Sequence, residues 1–303
     1  MEALAAELDV RRPRTLTNGM ADDPTFLHLA APAADDYLHA RLHGTVAYDY
    51  WLPVTGCREC AAVLGAVGRT LPGECPPAWR AGYDAKPRRG HQHYRTNAEF
   101  SALRAALELD LPPEAAPLLP LQPGDRFAPA RWRVPSWPLD DVLWPEIGAA
   151  LVSDRLRSAL EAAKITGAYF APVVVERVGR KPARRMAPAR GGEPEDAWRR
   201  IPPPSGDLTP PTYWHMGVAA RSGTGDLPIC EPWGHVAHTA GDLHRYVSDA
   251  TWLRATWTGA DVFRPLGSGS IFVTDRVRAV FEAAGATGVD FRAPQDMRSD
   301  GDA

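Results

Sequence analysis

The sequence predicts an α+β fold made of two related strand-helix-strand units, with a small cysteine-bearing knuckle beside them. Three observations lead there. First, "LVSDRLRSALEAAKITGAYFAP" (151–172) aligns without a gap with "FVTDRVRAVFEAAGATGVDFRA" (272–293). Second, short runs rich in aromatic and β-branched residues alternate with turn signals elsewhere in the chain, as strands of a half-buried sheet do. Third, "GCREC" places Cys57 and Cys60 two residues apart just after a turn signal, the spacing of half a zinc knuckle.

The repeat carries its own local physics. In each copy Val152 or Val273 ends a short strand and Ser153 or Thr274 is placed to cap a helix N-terminus. Asp154 or Asp275 then favours the positive end of the helix dipole. Leu156, Ala159, Leu160 and Ala163 in one copy, and Val277, Val280, Phe281 and Ala284 in the other, recur at the spacing of one buried helix face. Gly167 and Gly288 can take the left-handed conformation that ends a helix before the next strand. Upstream, "WPLDDVLWP" from Trp137 parallels "WTGADVFRP" from Trp257 after one gap.

The remaining elements follow in chain order. Residues 1–22 mix charges without sustained periodicity and read as a disordered tail, within which Met20 is a second candidate start. "PTFLHLAAP" (24–32) and "TVAYDYWLPV" (45–54) read as strands. In "NAEFSALRAALELD" (97–110), Phe100, Leu103 and Leu107 share a helical face, Asn97 is a candidate N-cap, and Pro112 and Pro113 end the helix. Residues 177–211 are rich in Pro, Gly and Arg and read as a loop or linker. The organisation expected is therefore an N-terminal lobe (23–176) with the knuckle and the first unit, this linker, a C-terminal lobe (212–295) with the second unit, and a short tail (296–303).

Bulk properties narrow the class. At 303 residues, 45% hydrophobic and 23% charged, with 30 prolines, the chain is globular and loop-rich. A formal charge of -3 provides no general attraction to nucleic acid or to an anionic membrane. No apolar run approaches the roughly 18 residues of a membrane-spanning helix, and no secretory signal pattern opens the chain, so the expected compartment is the cytoplasm. Four cysteines (57, 60, 75 and 230) are too few for a secreted disulfide scaffold.

Several sites are candidates. Zinc needs four ligands, and Cys57 and Cys60 provide two, with Cys75 a third. Cys230, His235 and His238, in "CEPWGHVAH", are further candidates, and His91 and His93 form another pair. The competing reading is a metal-free knuckle whose cysteines pack as small apolar residues. A redox centre at Cys57–Cys60 would need "AAVLGAVG" to be a helix, which two glycines disfavour. His215, His235, His238 and His244 with Asp226 and Asp242 suggest a metal-dependent hydrolase, although the sequence has no H-E-x-x-H. "PLGSGSIF" (265–272) is neither a nucleophile elbow nor a phosphate-binding loop, and it reads as a turn entering a strand. The 177–190 stretch holds basic residues and no acid, so Arg180, Lys181, Arg184 and Arg185 are candidate contacts for an acidic partner or, in a zinc-ribbon-like protein, for a phosphate backbone.

Taken in order, "YWLPVTGCREC…PGEC", "LQPGDRFAP" (121–129), the first repeat unit and "ADVFRPLGSGSIFVTDRVRAVFEAAGATGVDFRAP" resemble the double-CXXCG motif family over residues 26–295. The family is best represented by myxobacterial paralogues regarded as immunity proteins of contact-dependent polymorphic toxins. The first motif here keeps Cys57 and Cys60 but lacks the following glycine. The second is degenerate, falling on "CEPWG" (230–234), with Trp233 where a cysteine is expected, or on "YWHMG" (213–217). The resemblance implies a non-enzymatic protein that neutralises a cognate toxin by stoichiometric binding.

Overall fold

The structure, a computed structural model, describes residues 24–32, 45–52, 55–56, 63–64, 68–84, 97–111, 113–134, 140–146, 149–177, 212–223, 229–230, 235–236, 250–265 and 269–294. Strands and helices intermix along them, so the fold is α+β. The strands are β1 (Phe26–Ala30), β2 (Thr45–Ala47), β3 (Thr55–Gly56), β4 (Val63–Leu64), β5 (Thr70–Glu74), β6 (Arg126–Ala128), β7 (Ala130–Val134), β8 (Val142–Glu146), β9 (Ala149–Ser153), β10 (Ala168–Arg177), β11 (Tyr213–Val218), β12 (Ile229–Cys230), β13 (His235–Val236), β14 (Val262–Phe263), β15 (Ile271–Thr274) and β16 (Asp290–Arg292). The helices are α1 (Pro77–Asp84), α2 (Asn97–Glu108), α3 (Asp154–Ala162), α4 (Ala250–Thr256) and α5 (Asp275–Ala283), and a 3-10 turn spans Pro113–Leu118.

Two sheets dominate. One has the order β14-β15-β1-β16 and the other β2-β7-β10-β11-β9-β8. Within the larger sheet the run β8-β9-β11-β10 is antiparallel throughout, as is β14-β15-β1-β16. The registers also match. In one sheet Tyr213 faces Ser153 and His215 faces Leu151, while in the other Phe26 faces Thr274 and His28 faces Phe272. Phe170 lies opposite Met216 as Phe291 lies opposite Leu29. The third strand of each unit thus comes from outside the strand-helix-strand segment. β11 follows its unit in the chain, whereas β1, some 240 residues upstream of β15, completes the other. The sheets therefore cross the boundaries expected at 176 and 212.

Both helices start where their caps predict. Ser153 Oγ accepts from Leu156 N at 3.2 Å, the ordinary N-cap bond. Thr274 holds the same extended conformation, but its hydroxyl makes no cap bond and donates to Asp261 instead. On α2, Phe100 and Leu107 are buried as the helical pattern predicts, and Asn97 is the first helical residue.

One core joins the units. Val142, Ala150, Val152, Leu156, Leu160, Met216 and Val218 from one side meet Leu27, Leu29, Val262, Ile271, Val273, Val277 and Phe281 from the other. Around it the polar contacts are reciprocal. Asp141, just before β8, accepts from Ser153 Oγ (2.7 Å) and Arg155 Nη2 (2.6 Å) in its own unit and from Thr287 N (3.3 Å) in the other. Asp261, just before β14, accepts from Thr274 Oγ1 (3.2 Å) and Arg276 Nη1 (2.8 Å) in its own unit and from Thr166 N and Oγ1 (both 2.9 Å) in the other. Arg155 donates to the carbonyl of Ala284 and Arg276 to that of Ala163, so each guanidinium sits at the negative end of the opposite helix.

This interlock explains two glycines. Gly167 (φ +84) and Gly288 (φ +78) follow the threonines that cross between units, and a Cβ on them would run into the backbone carbonyls of Val262 and Val142, respectively. Gly285 (φ +58) has open space around it. Gly167→Ala and Gly288→Ala are each expected to lower stability by at least about 2 kcal/mol, from positive-φ strain plus the forced separation of the units. Gly285→Ala should cost only about 1 kcal/mol. Denaturant titration of the three variants is the check, and equal costs at all three positions would refute the clash.

Candidate functional site

Pleating puts alternate residues of β11 on opposite faces. Trp214, Met216 and Val218 point to the core shared by the units. His215 and Gly217 occupy the other face, and Ala219, just beyond the strand, packs on the same side. A second layer covers that face: β5 pairs parallel with β6, and the backbone at 50–52 bonds alongside through Phe127 N to Tyr50 O (3.0 Å) and Leu52 N to Asp125 O (2.6 Å). The apolar part of the seam holds Leu52, Leu71, Phe100, Leu121 and Phe127, with Tyr169 and Ala219 packed against it.

The polar part of the seam is built around arginines. Arg69 Nε and Nη2 clamp Asp125 at 3.0 and 2.5 Å, and Gln122 N adds a bond to the same carboxylate at 2.7 Å. Asp125 is fully buried and its oxygens are occupied. Burial works against the Arg69 charge, but Asp125 more than offsets it and raises the pKa. Arg69 also donates to Leu118 O (2.6 Å) and Pro120 O (3.0 Å), which ties the 3-10 turn to this layer.

Two further arginines approach this pair. Arg221 and Arg264 face one another across an isolated parallel bridge, secured by Ser222 N to Arg264 O (3.1 Å) and Arg264 N to Ala220 O (3.0 Å). Burial first, and then the neighbouring cations Arg221 and Arg69, lower Arg264 to about 10, with Tyr169 acting in the opposite direction. Arg221 is lowered in the same way, by burial and then by Arg69, although the residue reaches the surface and solvent screens the effect. Arg264 stands in "DVFRP" where the other unit has Trp144 in "DVLWP". Trp144 donates its indole N–H to Gly288 O at 2.9 Å. The units thus share a backbone pattern and differ here in what the side chain offers.

Tyr169 completes the group. It lies opposite Gly217, and a Cβ at Gly217 would overlap its ring, so the glycine makes room for the phenol. The hydroxyl is buried and has no hydrogen-bond partner. Burial pushes its pKa above the ordinary value, while Arg69 and Arg264 oppose that shift. Next along the face, His215 Nε2 lies 3.3 Å from Thr70 Oγ1, which donates to Tyr48 Oη at 3.0 Å. His215 Nδ1 has no hydrogen-bond partner. Burial, then Arg126 and Arg264, lower His215 to about 3. The seam offers positive charge and, at Tyr169 and His215, groups that both donate and accept hydrogen bonds.

Most of the site residues expected from sequence lie outside the described residues. Cys57, Cys60, His91, His93, Asp226, His238, Asp242 and His244 lie outside the described residues, as do Arg180, Lys181, Arg184 and Arg185. β3 pairs antiparallel with β4, Thr55 opposite Leu64 and Gly56 opposite Val63. Val63–Leu64 is therefore strand, not the helix a redox centre would need. Cys75 is 2% exposed, packed among Leu52, Leu71 and Phe100, and its thiol points to the Pro76 carbonyl. Cys230 and His235 occupy directly opposed positions of the β12–β13 pair. His215 belongs to the buried seam. Among the described residues no three His, Cys, Asp or Glu side chains form a group able to hold a metal ion, and no helix is long and apolar enough to cross a membrane. Comparison with known proteins finds no family model that matches the chain and no curated protein that matches its sequence.

Proposed function

We propose that this protein is an immunity protein that neutralises a cognate bacterial toxin in the cytoplasm by stoichiometric contact, without chemical turnover. The observation that carries the reading is the grouping of Arg69, Arg221 and Arg264 around the exposed end of the seam at Arg221, a cationic surface suited to meeting an acidic group on a partner. The ordered resemblance from "GCREC" to "ATGVDFRAP" supports the same reading. A partner with a negative surface would gain on-rate from this cluster and from the basic 177–190 stretch.

Co-expression with toxins encoded beside the gene tests the proposal. The expected result is protection of the host and a co-purifying one-to-one complex whose association slows as salt is raised. Failure to protect against or bind any adjacent toxin overturns it. We further propose that any zinc this protein binds is held by Cys57 and Cys60, whose two-residue spacing is that of half a zinc knuckle. Zinc content of the same preparation should fall on Cys57→Ser, and stoichiometric zinc unaffected by that substitution overturns the assignment.

A further inference from the structure

We infer that the groove between β15 and β16 is a strand-binding site that takes β1 from a second copy of the chain as well as from its own, so that two copies pair by exchanging this strand. The inference concerns the chain with itself and does not depend on the toxin-binding reading.

The placement of β1 carries it. β1 is an inner strand, paired with β15 from Phe26 to Leu29 and with β16 from His28 to Ala30. Both partners lie some 240 residues or more later in the chain. After Ala30 the chain leaves this sheet, and the next strand, β2, is the far edge of the other one. The connection between them, residues 31–44, has 14 residues and spans at most about 50 Å when extended. Among the described residues β1 is therefore the one part of its unit that is joined to the rest only through the other unit.

That other unit shows that the connection is not what selects the strand. There the same place, between β9 and β10, is filled by β11, which enters the chain after β10, whereas β1 enters before β15. Direction and register are nonetheless the same, with Tyr213 opposite Ser153 as Phe26 is opposite Thr274. The contacts that hold β1 lie between Thr25 and Ala31. Thr25 O accepts from Asp275 N at 3.1 Å, and Ala31 O accepts from Arg292 Nη2 at 2.9 Å. The Phe26 ring meets Trp257 and Phe263 edge to face, each with centroids 5.4 Å apart, and Leu27 and Leu29 enter the core shared by the units. A strand from another copy can make every one of these contacts. Exchange thus restores what withdrawal breaks, and because each copy both gives and receives a strand, the product closes as a dimer. Its share then follows protein concentration by mass action.

The test is refolding of the full chain from denaturant at low and at high protein concentration, read by size exclusion with light scattering. Monomer is expected at low concentration, and the ratio of dimer to monomer should rise roughly in proportion to concentration. A synthetic peptide of residues 24–32, added during refolding, should suppress the dimer by filling the groove. To identify the strand that crosses, Ala30→Cys and Asp290→Cys are combined, since these residues are register partners at the end of the β1–β16 pair. Isotopically heavy and light copies of this double variant are refolded together and oxidised. In the dimer, disulfides joining positions 30 and 290 should include heavy-to-light links at close to the statistical proportion, and in the monomer none. Monomer alone at every concentration, a dimer that the peptide leaves unchanged, or 30–290 links confined to one isotopic copy overturns the inference.

Discussion

Asp261→Ala is expected to destabilise the protein by about 3–5 kcal/mol, the range for removing one partner from a buried charged network. The carboxylate is 11% exposed and accepts from Thr166 N, Thr166 Oγ1, Thr274 Oγ1 and Arg276 Nη1. Its loss leaves a backbone amide and two hydroxyls without their acceptor at the seam between the units, and frees Arg276 from the position in which it also binds the Ala163 carbonyl. In a chain of this size each kcal/mol lowers the melting temperature by about 2–4 °C, so a fall of roughly 6–20 °C is expected. Asp141→Ala should act in the same direction, through Ser153, Arg155 and Thr287. By contrast, Asp154→Ala removes a carboxylate that is 51% exposed and holds only surface contacts with Arg157 and the Trp214 indole, so it should cost about 1 kcal/mol or less. A cost at Asp261 no larger than that at Asp154 would show that the carboxylate is not a hub between the units.

The carboxylate hubs mark how far local sequence rules reach. The α3 and α5 starts at Ser153 and Thr274 were legible because a cap, a dipole-favouring aspartate and a helical stripe lie within a dozen residues of one another. The parallel between "WPLDDVLWP" and "WTGADVFRP" was legible too, but not that Asp141 and Asp261 bond across to the opposite unit, since pairing between units leaves no periodicity in either segment. The third strands show the same limit. β1 and β11 were assigned to separate lobes by sequence position, yet "PTFLHLA" (24–30) and "PTYWHMG" (211–217) share Pro, Thr, an aromatic and His in register. Thr25 O accepts from Asp275 N as Thr212 O accepts from Asp154 N, both at 3.1 Å. That likeness was readable in the sequence, and it identifies two strands doing the same job.

The candidate site was less legible. Arg69, Tyr169, Arg221 and Arg264 come from four separate segments and form no motif. The signal available was a contrast: Arg264 stands where the parallel segment has Trp144. His215 was read with His235 and His238, but His238 lies outside the described residues, so that grouping is not seen in the structure. In the fold the neighbour of His215 is Thr70, 145 residues away. Cys75, read as a third ligand, packs with the seam's apolar side chains, while Cys57 and Cys60 lie outside the described residues.

His215 gives the second large effect, a loss of stability in mild acid. Its folded pKa is about 3, against an ordinary value of 6.5, because burial first, and then Arg126 and Arg264, disfavour the imidazolium. Above pH 6.5 both folded and unfolded chains carry the neutral ring, and the histidine adds no pH dependence. Below 6.5 the unfolded chain takes up a proton that the folded chain refuses, so stability falls with pH until the folded pKa is reached. At pH 5 the deficit is about 2 kcal/mol for this one residue. His28, the register equivalent of His215 in the other sheet, is lowered to about 4 by burial and then by Arg292, and it adds a loss of the same sign, reduced by its partial exposure. Most Asp and Glu side chains remain ionised at pH 5, so the interval between 6.5 and 5 isolates the histidines. Denaturant unfolding across that interval should show stability decreasing toward acid, with His215→Asn giving a flatter profile whatever its absolute stability. A variant profile parallel to the parent's would mean that His215 already accepts a proton in the folded state, and that the hydrogen-bond chain through Thr70 and Tyr48 does not hold it neutral.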